Sequence, residues 1–153
     1  MFVPKGGKPE RYFALAGRPV LQFRTAEGGR AVLALDPTTG ALLPSYALYG
    51  RLSEGSVDLD ELDQTGFEAL VRQWRERIIA ECQAIAIHWT RTGDLDFPYA
   101  AKRGGQRLVL RLNDHPAEPL LTLFVSEQPI SHLETWPEAW QLEASPLAPQ
   151  PEA

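Results

Sequence analysis

Basic residues are missing from the last quarter of the chain. Residues 113–153 hold no Lys or Arg and seven Asp/Glu, a net charge of −7. Residues 65–112 carry eight Lys/Arg against five Asp/Glu, a net of +3, and residues 1–64 carry seven against eight, a net of −1. An acidic stretch of this kind repels nucleic acid and attracts basic partners, or pairs with the basic middle of the same molecule. Cysteine is scarce too. A single Cys82 cannot close an internal disulfide, which suits a reducing compartment. The three histidines and Cys82 show no CxxC, HxH or HExxH spacing, so no metal is expected. GxGxxG, GxxxxGK(S/T) and GxSxG are all absent, so no cofactor is expected either. No apolar run reaches the ~18 residues that span a bilayer, and "MFVPKGGKPERYF" lacks the apolar stretch of a secretory signal. These absences predict a cytoplasmic protein that avoids membranes.

What is present suits a folded domain. The chain has 153 residues, 44% hydrophobic and 23% charged, enough to bury a core without a metal or disulfide. The expected organisation is a single domain over 1–143 and a disordered Pro-rich tail, "ASPLAPQPEA", over 144–153.

The N-terminal third reads as a β-meander. "RYFALAG" ends at Gly17. In "PVLQFRT", Leu21 and Phe23 face one side, Gln22 and Arg24 the other. "AEGG" (26–29) turns the chain into "RAVLAL" (30–35). "DPTTG" (36–40) has the Asp, Pro and Gly order of a type I turn closed by a left-handed residue. "ALLP" and "YALYG" read as further strand material, and residues 51–64 as a polar loop or short helical turn.

The clearest element lies over residues 65–89. Phe67, Leu70, Val71, Trp74, Ile78, Cys82 and Ile85 step by three and four, the spacing of an amphipathic helix of about twenty residues. Thr65 with Glu68 forms a capping box, and Gly66 is the weak residue beside it. His88 falls at the end of that helix, where the dipole favours a cation. "TRTGDLDFPYAAKRGGQ" (90–106) reads as a long connection, "RLVLRLND" (107–114) and "LLTLFVSE" (120–127) as a hairpin, and "TWPEAWQLE" (135–143) as a short helix capped by Thr135 and Glu138. The fold class is therefore α+β: an antiparallel sheet, made of the N-terminal β-meander and the C-terminal hairpin, packed against one long amphipathic helix.

No catalytic set emerges. On a helix Cys82 and His88 stand about 240° apart around the axis, and on a strand about 20 Å apart, so they form no local dyad. The stripe position of Cys82 makes it a small buried hydrophobe. Asp94 and Asp96, before Phe97-Pro98-Tyr99, and Asp114 beside His115 are polar pairs on loops, where Asp is common for turn reasons alone. "KRGGQR" (102–107) and "KGGKPER" (5–11) offer Gly-Gly pairs that fit a phosphate or a plain turn.

Three functional readings follow. The first is a non-enzymatic protein-binding module, an inhibitor, adaptor or immunity-type protein. It would use an acidic, aromatic surface of Glu134, Trp136, Glu138, Trp140 and Glu143, with Trp136 and Trp140 on one helical face. Its partner would be another protein with a basic surface, and a homodimer fits as well. The alternative reading places both tryptophans in the domain's own core. The second function is a small enzyme or ligand-binding protein with a pocket between helix and sheet, using His88, His115, Asp94 or Asp96. The third is nucleic-acid binding through Lys102, Arg103, Arg107 and Arg111, which the pI of about 5.2 disfavours.

Overall fold

The structure, a computed structural model, describes residues 3–54 and 58–143. The Pro-rich tail, 144–153, lies outside the described residues. The chain divides into two compact units, Met1–Glu76 and Arg77–Ala153. The fold is mixed α+β and mostly β. Two sheets stand where one was expected.

In the first unit, β1 (Lys8–Leu15), β2 (Arg18–Arg24), β3 (Arg30–Leu35) and β4 (Leu42–Pro44) run as the expected meander. β5 (Leu59–Leu62) returns to β1, giving an antiparallel order β4-β3-β2-β1-β5. Asp36 shapes the β3–β4 turn as its sequence predicts. Its carboxylate accepts from Thr38 N at 3.2 Å and Thr39 Oγ1 at 2.7 Å, and Gly40 closes the turn at φ 81°.

"YALYG" is the first correction. It opens a helix, α1 (Tyr46–Glu54), and not a strand. Ser45 Oγ accepts from Leu48 N at 3.4 Å, as an N-cap does. Leu48 and Leu52, four apart, join the core of Phe13, Leu15, Val20 and Val32.

The long helix, α2, spans Gln64–Ala84. Its cap is Asp63, not the Thr65–Glu68 box. Asp63 Oδ1 accepts from Gly66 N at 2.7 Å, and a Cβ on Gly66 would stand 3.0 Å from that oxygen, which explains the glycine. Within the first unit, Trp74 Nε1 donates to Gly17 O at 3.0 Å and Arg75 Nε to Gly40 O at 2.9 Å. Burial pulls the Arg75 guanidinium down to about 10. α2 stops at Ala84, so the helical period ends before His88. Ile85, placed on the apolar stripe by its spacing, is exposed, while Ile87 and Trp89 are buried on either side of exposed His88. That is the alternation of a strand.

The second unit contains β6 (His88–Arg91), β7 (Tyr99–Arg103), β8 (Gln106–Leu112), β9 (Leu121–Val125), β10 (Gln128–Leu133) and β11 (Gln141–Leu142). Their order is β10-β9-β8-β7-β6-β11, antiparallel except for the parallel β6–β11 pair. The β8–β9 hairpin is the one expected. The supposed connection 90–106 holds half of β6 and all of β7. These strands extend the hairpin into its own sheet, so the meander and the hairpin do not share one. Residues 135–143 are not a helix: Pro137 sits in a turn, closed by Trp140 N donating to Pro137 O at 3.1 Å, and β11 follows.

Candidate functional site

The six-stranded sheet sorts its residues by parity. Leu108, Leu110, Leu121, Leu123 and Val125 are all buried on one face. Cross-strand partners share a face, so the pairs Leu108↔Val125, Leu110↔Leu123, Ala101↔Leu108 and Tyr99↔Leu110 define that inner side. Lys102↔Arg107, Ala100↔Val109, Val109↔Phe124 and Arg111↔Thr122 define the outer side.

The predicted C-terminal aromatics belong to the inner face. Trp140 is 4% exposed and Trp89 1% exposed, their ring centroids 4.9 Å apart. Trp136 lies edge-on to Tyr99 at 5.5 Å and to Trp140 at 5.7 Å. Trp140 Nε1 donates to Cys82 O at 2.7 Å, satisfying one of the four carbonyls that the end of α2 leaves open. Trp89 Nε1 has no hydrogen-bond partner among the described residues. Burial raises the Cys82 thiol above its usual range, which makes it a poor nucleophile. Glu134 and Glu138 are exposed, and Glu143, also exposed, accepts from Arg91 N at 2.6 Å. Among the described residues none of the three pairs with Lys102, Arg107 or Arg111.

The outer face carries the hollows. A groove of about 580 Å³ is lined by Asp94, Phe97, Arg107, Val109, Phe124 and Glu127, among others. A shallower depression of about 310 Å³ is lined by His88, Thr90, Ala100, Lys102 and Arg107, with Ala101. Arg107 borders both, so the two lie side by side on the face. Phe97 and Phe124, each partly exposed, meet edge-to-face at 5.3 Å and form an aromatic wall.

The loop 92–98 that brings Phe97 over the sheet is held by its own polar atoms. Thr92 Oγ1 donates to Phe97 O at 2.6 Å, and Asp94 Oδ1 accepts from Asp96 N at 2.8 Å and Phe97 N at 3.1 Å. Asp94 therefore shapes the loop from the rim of the groove. Asp96 is exposed, and its backbone carbonyl accepts from Leu112 N at 3.3 Å.

The structure thus gathers His88, Asp94, Lys102 and Arg107 around two adjoining hollows, with Arg111 exposed on the same face. Arg103 is separated: its parity puts it on the inner side, near enough to Cys82 to favour the thiolate. His115 sits on the exposed β8–β9 loop, away from the lining residues. "KRGGQR" is a tight turn, Gly104 and Gly105 having φ of 57° and 76° between paired Arg103 and Gln106. "KGGKPER" likewise turns the chain into β1, with Gly7 N donating to Pro4 O at 2.9 Å.

Sequence reasoning missed Phe97, Val109, Phe124 and Glu127. The signal for Phe124 was present, since in "LTLFV" it is the large apolar residue out of step with the buried leucines. No helix among the described residues is long and apolar enough to cross a membrane, and no group of three or more His, Cys, Asp or Glu among them could hold a metal. Comparison with family models, with curated proteins and with solved structures returned no match.

Proposed function

We propose that this protein is a non-enzymatic binding module that holds an anionic ligand or partner on the outer face of its six-stranded sheet. One observation carries the reading. Lys102, Arg107 and Arg111 share that exposed face, and none has a carboxylate within ion-pairing distance among the described residues. Three arginines of the first sheet, by contrast, are paired: Arg11 with Glu61 at 2.7 Å, and Arg24 and Arg30 with Glu10 at 3.3 and 3.2 Å. Adjacent strands lie about 4.8 Å apart, so Lys102 and Arg107 repel each other unless an anion lies between them. A cavity of this size is ordinary for a binding site. The acid–base candidates do not share one pocket: Asp94 borders the groove with one carboxylate oxygen committed to its loop, His88 borders the separate depression, and Asp96 and His115 are exposed.

Heparin affinity chromatography tests this. A chain of net charge −5 binds a polyanion only through a local patch. The wild type is expected to be retained at low salt, and the double variant Lys102→Glu/Arg107→Glu to flow through. Lys5→Glu/Lys8→Glu changes the net charge equally and is expected to stay bound. Equal elution of both variants would sink the proposal.

A further inference from the structure

We infer that the anion held on this face is a single-stranded nucleic acid, with phosphates along Lys102, Arg107 and Arg111 and a base against Phe97 and Phe124. The inference rests on the anion-binding reading above and adds the chemistry of the partner. Three features favour an extended polyanion with flat apolar groups. The groove and the depression lie side by side with Arg107 between them, so their lining residues span four strands, β6 to β9, and do not close around a compact ligand. The cations sit beside a partly exposed aromatic wall, and a strand with splayed bases offers both phosphates and π-faces at short intervals. Between them, Thr90, Ala100 and Val109 lie side by side on the outer face, and none has a long side chain that would hold bases off the sheet.

The acidic total charge does not prevent this. Residues 88–112 carry five Lys/Arg against two Asp, a net of +3, and exposed charges more than about 8 Å away are screened at physiological salt. Two carboxylates border the groove. Asp94 Oδ1 is turned into its own loop, and Glu127 sits in the β9–β10 turn at the end of the groove.

The test uses the full chain and a labelled oligodeoxythymidine of about 15 nucleotides, with polyglutamate and a duplex of equal length as competitors. Binding is expected to weaken roughly 5- to 150-fold when one base loses its aromatic partner, in Phe97→Ala/Phe124→Ala and also in Phe97→Leu/Phe124→Leu. The leucine pair keeps the apolar volume, and its thermal unfolding shows that the fold is intact. In Lys102→Gln/Arg107→Gln the slope of log affinity against log salt is expected to flatten by about 1.4, or ~0.7 for each lost phosphate contact. Duplex and polyglutamate are expected to compete poorly. Binding that needs the cations but not the rings, or that polyglutamate displaces as well as the oligonucleotide does, overturns the nucleic-acid inference and leaves the anion-binding reading standing. Oligonucleotide binding unaffected by either variant overturns the inference, and failure to bind every polyanion overturns both.

Discussion

Trp89 and Trp140 allow one chemical change to be made twice in nearly one place. Both rings are buried, 1% and 4% exposed, and they touch each other. Replacing either with Phe deletes similar volume and disturbs the same ring pair, so the cavity cost is shared. Their nitrogens differ. Trp140 Nε1 holds the Cys82 carbonyl at 2.7 Å, whereas Trp89 Nε1 has no partner among the described residues. Trp140→Phe therefore strands a carbonyl at the helix end, which costs about 1–3 kcal/mol. Trp89→Phe removes an unsatisfied donor whose burial itself costs about 1–3 kcal/mol, and so recovers part of its cavity cost. Trp140→Phe is expected to be the more destabilising by at least ~2 kcal/mol. Urea unfolding followed by far-ultraviolet circular dichroism measures the difference, provided the m values agree. Equal stabilities, or a less stable Trp89→Phe protein, would refute the assignment of the two nitrogens.

Three further outcomes are expected. Three hairpins close through two-residue turns with both φ positive: Gly104-Gly105, Ala16-Gly17 and Ser126-Glu127, the last at 49° and 64° with no glycine. Ser126→Asn/Glu127→Gly is expected to stabilise by ~1–2 kcal/mol and Ala16→Asn by about half that in urea titrations, because Asn and Gly tolerate the left-handed region; no gain at Ser126-Glu127 contradicts the turn geometry. Asp63→Ala is expected to cost ~1 kcal/mol of stability as a lost N-cap, while Thr65→Ala stays within ~0.5 kcal/mol, and the reverse order would restore the Thr65–Glu68 cap. The Cys82 thiol, buried and raised in pKa, stays protonated through neutral pH and becomes reactive only as pH climbs past its usual range. Iodoacetamide at pH 7 should label it far faster in denaturant than in the native protein, and equal rates would place it at the surface.

Much of the fold was legible where one period dominates. The meander, the DPTTG turn, the α2 stripe and the β8–β9 hairpin all follow from alternation, helical spacing or turn chemistry. The misses have local causes. The apolar spacing that marks the helix, Leu48 to Leu52, runs past the end of "YALYG", and the tyrosines of that segment favour strands. His88 follows the helical stripe by count, yet the helix ends at Ala84 because Ile87 and Trp89 bury by alternation. β10 is broken by an irregular register between Pro129 and Ser131, so its buried residues, Ile130 and Leu133, fall out of step. Trp136 and Trp140, four apart, fit a helix face equally well as a turn that folds both rings onto Trp89. The site was half legible. The cations stood close in sequence, but only strand pairing separates Arg103 from Lys102 and sets Phe97 against Phe124.

The central claim is that the outer face of the six-stranded sheet binds anions through Lys102 and Arg107. The most direct measurement is the salt dependence of oligodeoxythymidine binding by the wild type and by Lys102→Gln/Arg107→Gln. Affinity that falls as salt rises, with a flatter slope in the variant, is the predicted result. Identical slopes in the two proteins, or no binding by the wild type at low salt to either the oligonucleotide or heparin, would contradict it.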